Sequence, residues 1–278
     1  MEKRIPRGGR QSLLGPKSSI KESTRSLLDA EFARYLAHGG FLHAINDMAV
    51  DDSILPSTFA TYGDWIRGDM LKRGETGALP AGSPHCRRHA IWDAGDLECA
   101  LEGSLYRPSD NRRRLRYFLL ASMDAVFVQS ALLEDKLTAA PRKARRVMFA
   151  DPFILHAINS WLRPDPDPFR NRLGPLLDDP VWFGKVAEAC TVTHVRRLHP
   201  TFYIKAEGEV DIAYVEGKRF HPIEVKWTQQ LRPKDLRQIA KYRNGRIWAR
   251  SWDTEEISGI PVDPLALALY RLGNAARV

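Results

Sequence analysis

Residues 208–226 constrain the fold more than any other part of the chain, because they predict two strands joined by a tight turn. Apolar and polar residues alternate on both sides of a Glu-Gly-Lys sequence, which is the period-two pattern of a β-hairpin. Before the turn, Val210, Ile212 and Tyr214 alternate with Glu209, Asp211 and Ala213. A two-residue turn at 217–218 gives a register that, counted back from the turn, puts Asp211 directly opposite Glu224.

Two carboxylates in such a pair would lie roughly 4.5–5.5 Å apart at Cβ. They repel each other unless a cation lies between them or one of them holds a proton. Lys226 shares the face of Glu224. Paired carboxylates with a neighbouring lysine are typical of a site where a divalent ion activates water for phosphodiester hydrolysis. The alternative is a solvated hairpin face with scattered charges. Pro222 cannot donate to a ladder, so an edge position or a bulge is expected in its strand.

The bulk composition favours a nucleic-acid partner. The chain has 278 residues, enough for two modest domains, and its net charge of +8 favours a polyanion. Three scattered cysteines do not make a disulfide framework. No apolar run approaches the length of a membrane span. The protein is therefore expected to be cytoplasmic and to bind DNA and not a membrane. A protein partner is left open.

Residues 1–24 are basic and without periodicity, and they predict a flexible tail. Residues 15–22 have the outline of a phosphate-binding loop. However, Ile20 stands where a second glycine must let the backbone approach phosphate, and Glu22 replaces the hydroxyl that would hold magnesium. No ATP-binding residue is therefore predicted.

Residues 25–162 predict a mostly helical region that contains a pair of strands. The predicted elements are helices over 26–38, 41–48 and 59–71, strands over 125–131 and 147–150, and a helix over 153–162. Asp151 is the expected N-cap of that last helix, with proline at its first position. A strand pair beside helices and basic loops is typical of a winged-helix unit, which binds DNA or merely packs.

Residues 74–116 lack apolar periodicity, and they are expected to be poorly ordered or degenerate. They include His85, Cys86, His89 and Cys99, whose spacing fits none of the paired patterns of a zinc site. A degenerate or out-of-frame coding segment would explain this composition.

The prolines and aspartates of 163–180 predict a linker, and residues 181–278 predict a compact α/β domain. Its predicted elements are a helix over 181–197, a strand over 201–206, the hairpin, a helix over 232–244, a strand over 246–251 and an apolar segment over 262–272. Gln238 and Tyr242 lie four residues apart on the predicted helix of 232–244, whose exposed side is basic.

This order of elements, with Asp211, Glu224-Val225-Lys226 and Gln238-x-x-x-Tyr242, resembles the PD-(D/E)xK restriction-endonuclease-like superfamily. Phe183 and Glu188 on the preceding helix narrow the resemblance to a prokaryotic AAA-type ATP-binding protein family. In that family an ATPase domain precedes a winged helix and a nuclease-like domain of unknown function. Further matching segments are Gly39-Gly40-Phe41, Asp64-Trp65-Ile66 and residues 148–153. The chain is expected to be a truncated member that lacks the ATPase domain.

The resemblance implies an α/β, PD-(D/E)xK nuclease-like C-terminal domain after a mostly helical, winged-helix-like N-terminal region. It implies that Asp211 and Glu224 hold Mg²⁺ (or Mn²⁺), that Lys226 is the catalytic lysine and that Glu188 is an accessory acid. Glu209 shares the predicted face of Asp211 and is a spare acid. The residues expected to contact nucleic acid are Gln238, Tyr242, Lys234, Arg237 and Lys241.

The leading hypothesis is metal-dependent hydrolysis of phosphodiesters in DNA. The alternative is a non-catalytic regulatory module that binds DNA or a partner through a relic nuclease fold, because a fold does not determine a function. A third hypothesis, an ATP-binding protein, lacks the loop chemistry it would need.

Overall fold

The computed structural model of the chain describes residues 17–75, 105–106, 125–232 and 236–275. These residues form a mixed α/β structure, in which an N-terminal helical region precedes a C-terminal mixed sheet. The predicted α/β class is confirmed at this level. In the described part of the chain, no helix combines the length and the apolar character that crossing a membrane requires.

Three helices open the described chain, and each overlaps a predicted helix. They are α1 (Glu22–His38), α2 (Leu42–Asp51) and α3 (Pro56–Glu75). α1 ends at Gly39, whose φ of 59° is costly for any residue with a side chain. A Cβ on Gly39 would also lie 1.9 Å from Asp151 Oδ1. Glycine is therefore needed at this position for two independent reasons.

Residues 17–24, part of the predicted tail of 1–24, contain helical turns that were not predicted from the sequence. Lys17–Ser19 form a 3₁₀ turn, and α1 begins three residues later. Ile20 is buried, and Lys17 Nζ donates to the backbone oxygen of Thr254 at 2.8 Å. A contact between residues so far apart leaves no local pattern in the sequence. Residues 1–16 lie outside the described residues.

A small antiparallel sheet follows, and it contains both strands predicted for this region. Its strands are β1 (Leu105–Tyr106), β2 (Val126–Ser130) and β5 (Arg145–Phe149), in the order β1-β5-β2. Between β2 and β5, β3 (Leu132–Leu133) pairs with β4 (Thr138–Ala139). The register of β2 and β5 aligns Gln129 with Arg146. Apart from residues 74–75 and β1, the segment 74–116 lies outside the described residues, and so do the four candidate zinc ligands.

Helix α4 (Pro152–Leu162) begins as predicted, because Asp151 accepts a hydrogen bond from the backbone N–H of Phe153 at 2.8 Å. The predicted linker over 163–180 contains a π-helical turn and α5 (Gly174–Leu177). The largest core cluster draws residues from both sides of this segment. The boundary between two domains therefore stays a prediction.

The C-terminal sheet has six strands, in the order β10-β11-β9-β8-β7-β6. The elements are α6 (Pro180–Arg196), β6 (Thr201–Lys205), β7 (Glu209–Glu216), β8 (Arg219–Lys226), β9 (Arg246–Ala249), β10 (Glu256–Ile257), β11 (Ile260–Pro264) and α7 (Leu265–Ala275). β6, β7 and β8 are antiparallel neighbours, whereas β8, β9 and β11 run parallel. Phe183 of α6 and Leu265 of α7 belong to the core cluster on one face of the sheet, and Leu236 and Ile239 to the cluster on the other.

The predicted hairpin is present, with Glu216 paired to Arg219 across the turn. Gly217 has a φ of 61°, as expected for the first position of a tight hairpin turn. β8 gains its second neighbour, β9, only from Ile223 onward. Pro222 therefore lies just before the part of the strand that is paired on both sides, where a missing N–H is tolerated.

The helix predicted over 232–244 is wrong for the described residues. Residues 236–245 contain no α-helix: Leu236 and Ile239–Lys241 are in 3₁₀ conformation. Leu236 and Ile239 are buried against the sheet, so a single turn satisfies the apolar spacing that indicated a helix. A Cβ on Gly245 would lie 2.9 Å from the Ile239 oxygen, so the close return of the chain depends on this glycine. Residues 233–235, and Lys234 with them, lie outside the described residues.

Candidate functional site

β7 and β8 separate at Asp211. Their ladder runs from the turn to the pair of Ile212 and Ile223 and ends one pair short of Asp211 and Glu224. Beyond that point, Asp211 Oδ2 accepts a hydrogen bond from the backbone N–H of Val225 at 2.9 Å. The Asp211 side chain thus accepts a hydrogen bond from a backbone N–H of β8 that no backbone oxygen of β7 accepts. The predicted regular pair of Asp211 and Glu224 is therefore not formed. The point beyond Ile212 and Ile223 at which β7 and β8 stop pairing is called the fork, and Asp211 lies at its base.

β7 also bulges against β6 at the same residue. The register shifts between Phe202 and Ile204, so Asp211 and Ile212 together oppose Tyr203. Bulges are common beside functional sites, where they turn a side chain to a new direction. The bulge breaks the predicted alternation, because Val210 and Ile212 belong to different core clusters.

Gln129 of β2 stabilises the bulge from the N-terminal sheet. Its side-chain amide donates to the backbone oxygen of Asp211 at 2.9 Å, and its side chain is almost completely buried. The partner of Gln129 across the ladder, Arg146, contacts the same region. The small sheet therefore touches the site through two neighbouring side chains.

Three acids on three elements interact electrostatically at the fork: Glu188 of α6, Asp211 of β7 and Glu224 of β8. Burial raises the pKa of Glu188 to about 8, and repulsion from Asp211 adds to the shift. Burial and the charge of Asp211 likewise raise the pKa of Glu224 to about 8. Burial also raises the pKa of Asp211. The structure thus brings the two predicted metal ligands and the predicted accessory acid into one carboxylate cluster.

Lys226 lies against this cluster. Its Nζ is 2.7 Å from Glu224 Oε1. Burial disfavours the ammonium form, but the charges of Glu224 and Asp211 outweigh it and raise the pKa of Lys226. The second oxygen of Glu224 is buried and has no hydrogen-bond partner in the described residues. The predicted Asp211, Glu224 and Lys226 therefore occupy one site, in which one oxygen of Glu224 has no partner among the described residues.

Arg146 is a component of the site that the sequence did not predict. One terminal nitrogen lies 2.7 Å from Glu188 Oε1 and 3.9 Å from Asp211 Oδ1, and the other donates to Glu209. The guanidinium carbon lies 4.6 Å from the centre of the Tyr203 ring. Burial disfavours its charge, but Glu188 and Asp211 raise the pKa of Arg146. The strand predicted over 147–150 begins two residues earlier in the structure, so Arg146 lies inside β5.

The negative charge of Glu209, the predicted spare acid, is balanced by two cations, Lys205 and Arg146. Burial opposes its negative charge, yet hydrogen bonds from Lys205 and Arg146 lower the pKa of Glu209. It therefore stays ionised and binds Arg146, rather than presenting a free carboxylate.

The residues expected to contact nucleic acid are spread along the turn after β8. Gln238 packs against the loop before β7, since a Cβ on Gly208 would lie 3.2 Å from its Oε1. Tyr242 donates its hydroxyl to Glu134 at 3.1 Å. Burial and the charge of Glu134 raise the pKa of Tyr242 to about 12.

The two described cations of this group differ in their surroundings. Lys241 forms an ion pair with Glu207, whereas the side chain of Arg237 is exposed. Their place in a nucleic-acid interface stays a prediction.

The donor set of the carboxylate cluster suits a magnesium ion. Asp211 and Glu224 supply hard oxygen ligands, and the buried, unpartnered Oε2 of Glu224 lacks a cation or donor. Within the described residues, no three His, Cys, Asp or Glu side chains are grouped so as to hold a metal ion by themselves. Water and phosphate oxygens would complete the shell, as is usual for Mg²⁺ held by one or two carboxylates.

Comparison of the chain with protein-family models, with curated proteins and with solved structures found no match. The arguments for a function therefore rest on the geometry and charges of the carboxylate cluster.

Proposed function

We propose that this chain is a metal-dependent phosphodiester hydrolase that acts on DNA, with a PD-(D/E)xK site at the fork of β7 and β8. One observation carries the proposal: the Asp211 carboxylate accepts from the backbone N–H of Val225, between Glu224 and Lys226 in β8, and Lys226 lies 2.7 Å from Glu224. Burying acids near one another lowers the stability of the folded state. A role of these acids in metal binding and hydrolysis would account for their presence.

In this proposal, Asp211 and Glu224 hold Mg²⁺ or Mn²⁺. The bound ion would lower the pKa of a water molecule and stabilise negative charge on the phosphate. Lys226 stays protonated because Glu224 and Asp211 raise its pKa, so it can stabilise the attacking water or the charge that develops on the phosphate. Asp211 is held in place by its hydrogen bond from Val225.

Glu188 and Arg146 act on the surroundings of these three residues. Burial raises the pKa of Glu188, and Arg146, 2.7 Å from its Oε1, balances part of the negative charge of the cluster. Arg146 binds Glu188 and Glu209 and thereby joins α6 to β7. The net charge of +8 favours a polyanionic substrate.

The proposal includes a fold and a family. Asp211, Glu224 and Lys226 fit a PD-(D/E)xK nuclease-like domain that follows a winged-helix-like region, as in the AAA-type ATP-binding protein family that the sequence resembles. In the structure, the antiparallel pair of β2 and β5, followed by α4, stands where the winged-helix unit is expected.

Cleavage of a supercoiled plasmid tests the proposal. The purified chain should nick it in Mg²⁺ or Mn²⁺ and not in EDTA, and Asp211→Asn and Lys226→Ala should each lose activity by about 100-fold or more. Glu216→Gln and Lys218→Ala are matched controls, because both residues are exposed at the far end of the same hairpin. Nicking that survives in both site variants would rule out this site.

A second function, a regulatory module that binds DNA or a partner without cleaving, is favoured by Arg146. Its guanidinium gives Glu188 and Glu209 an internal counter-ion and lies 3.9 Å from Asp211, so the acids are partly balanced without a metal. This function predicts DNA binding with no cleavage in Mg²⁺ or Mn²⁺ and no heat of Mg²⁺ binding in calorimetry. Cleavage that depends on Asp211 would exclude it.

A further inference from the structure

A cavity of about 170 Å³ lies between β5 and α6, next to the carboxylate cluster. Its polar edge consists of Arg146, Lys185, Glu188 and Glu209. Its apolar walls include Met148, Pro152, Leu155 and Trp182. Because three residues of the polar edge also belong to the site or contact it, a ligand in the cavity would lie beside the carboxylate cluster.

The volume suits a single aromatic ring. A protein cavity of roughly 150 Å³ holds one benzene molecule, whereas pockets for drug-sized ligands measure about 300–1,000 Å³. A one-ring pyrimidine base therefore matches this cavity more closely than a two-ring purine does.

The polar groups of the cavity match the edge of a pyrimidine. Trp182 forms part of the apolar wall, against which the base would lie. The Glu188 carboxyl can accept from a ring or amino N–H of the base, and Lys185 can donate to a carbonyl or a phosphate.

We propose that the cavity binds one unpaired pyrimidine base of a nucleic-acid strand whose phosphate lies at the carboxylate cluster. This inference rests on the proposed function, since the cluster supplies the reason for a nucleotide to be there. A base can enter such a pocket only when it is outside the double helix. The substrate class is therefore single-stranded or locally unpaired DNA.

Binding without cleavage tests the cavity. Fluorescence anisotropy in EDTA would compare three labelled strands of equal length: thymidine, deoxyadenosine and abasic nucleotides. The thymidine strand is expected to bind about fivefold or more tightly than the other two, because the abasic strand has no base to place in the cavity and the two-ring adenine exceeds its volume. A duplex of the same length should compete less well than the free thymidine strand.

Two variants localise the effect. Ala189→Leu fills the cavity from α6 and should weaken binding of the thymidine strand about fivefold, while binding of the abasic strand stays unchanged. Val181→Leu, on the same helix but 66% exposed, is the matched control. Trp182→Leu removes the ring from the cavity wall and keeps an apolar side chain, so it should weaken thymidine binding about threefold, and it provides the test if Ala189→Leu does not fold.

Equal binding of the three strands would overturn the assignment, as would an unchanged thymidine preference in the folded cavity variants. The outcome is separable from that of the hydrolysis proposal. A thymidine preference in a protein that does not cleave DNA would support the base site and contradict the hydrolysis proposal. Cleavage that depends on Asp211, without any base preference, would retain the enzyme and remove the base site.

Discussion

Asp211 Oδ2 accepts a hydrogen bond from the backbone N–H of Val225 at 2.9 Å, at the point where the ladder of β7 and β8 ends. The same carboxylate repels Glu188 and Glu224. One side chain therefore stabilises the fork and contributes charge to the site. These two roles can be separated by substitution.

Asp211→Ala should lower the free energy of unfolding by about 1–3 kcal/mol, because it leaves the Val225 N–H without its acceptor. Asp211→Asn keeps an acceptor oxygen and removes a buried charge, so we expect its stability to lie within about 1 kcal/mol of the wild type. Both variants should lose cleavage. Urea unfolding monitored by circular dichroism measures the difference. If Asp211→Asn is as unstable as Asp211→Ala, the hydrogen bond is not what stabilises the fork.

Arg146→Met should lower the free energy of unfolding by about 2–4 kcal/mol, because it leaves Glu188 and Glu209 without their shared counter-ion. Adding Glu188→Gln should recover part of the loss, and urea unfolding of the four proteins in this cycle gives the coupling. Arg142→Met, at an exposed position before β5, should change stability by no more than about 0.5 kcal/mol. Additive losses from Arg146→Met and Glu188→Gln would contradict the ion pair.

Stability should fall as pH rises from about 4.5 to about 8. Burial raises the pKa of Glu224 from the ordinary 4.5 to about 8, so the folded state holds a proton that the unfolded chain has released. Because the folded state binds more protons in this window, the free energy of unfolding decreases with pH and levels off above it. Each proton difference corresponds to a slope of about 1.4 kcal/mol per pH unit.

Glu224→Gln should reduce that slope by about one proton, whereas Glu216→Gln, which is exposed at the end of β7, should leave it unchanged. The measurement is urea unfolding in EDTA at a series of pH values. An identical slope in the wild type and in Glu224→Gln would show that Glu224 is ionised in the folded protein throughout the window.

Magnesium should stabilise the folded protein, and more strongly at pH 8.5 than at pH 6.5. Binding requires Asp211 and Glu224 to be deprotonated, and burial raises the pKa of both. At a Mg²⁺ concentration about 100 times Kd, the gain is about 2.7 kcal/mol. Differential scanning fluorimetry with a titration of Mg²⁺, reversed by EDTA, measures it. The shift in Tm should disappear in Glu224→Gln and persist in Glu216→Gln; a shift that survives in Glu224→Gln places the ion elsewhere.

Elements with local signals were predicted well. The hairpin of 208–226 was found because a turn glycine and period-two alternation are both properties of neighbouring residues. α4 was found from Asp151 followed by proline at the first helical position. The helix over 232–244 was wrong because the burial of Leu236 and Ile239 against the sheet requires only one turn.

The candidate site shows the same division. Asp211, Glu224 and Lys226 were predicted from the spacing around one turn, and the structure brings them together. Arg146 was missed because it comes from a strand 42 positions before Glu188 in the chain and 63 before Glu209. The cavity beside α6 was also beyond prediction, since its walls come from β5, α4 and α6.

The sequence by itself determined the two hairpin strands, their register from the turn to Ile212 and Ile223, and the identity of the acids at the open end, because each depends on residues close together in the chain. Only the tertiary structure decided the bulge at Asp211, the approach of Glu188 and the insertion of Arg146 among the carboxylates. These features arise where the N-terminal sheet and α6 pack against β7. The burial produced by that packing removes water from the acids, and this loss of water raises the pKa of Glu188 and of Glu224.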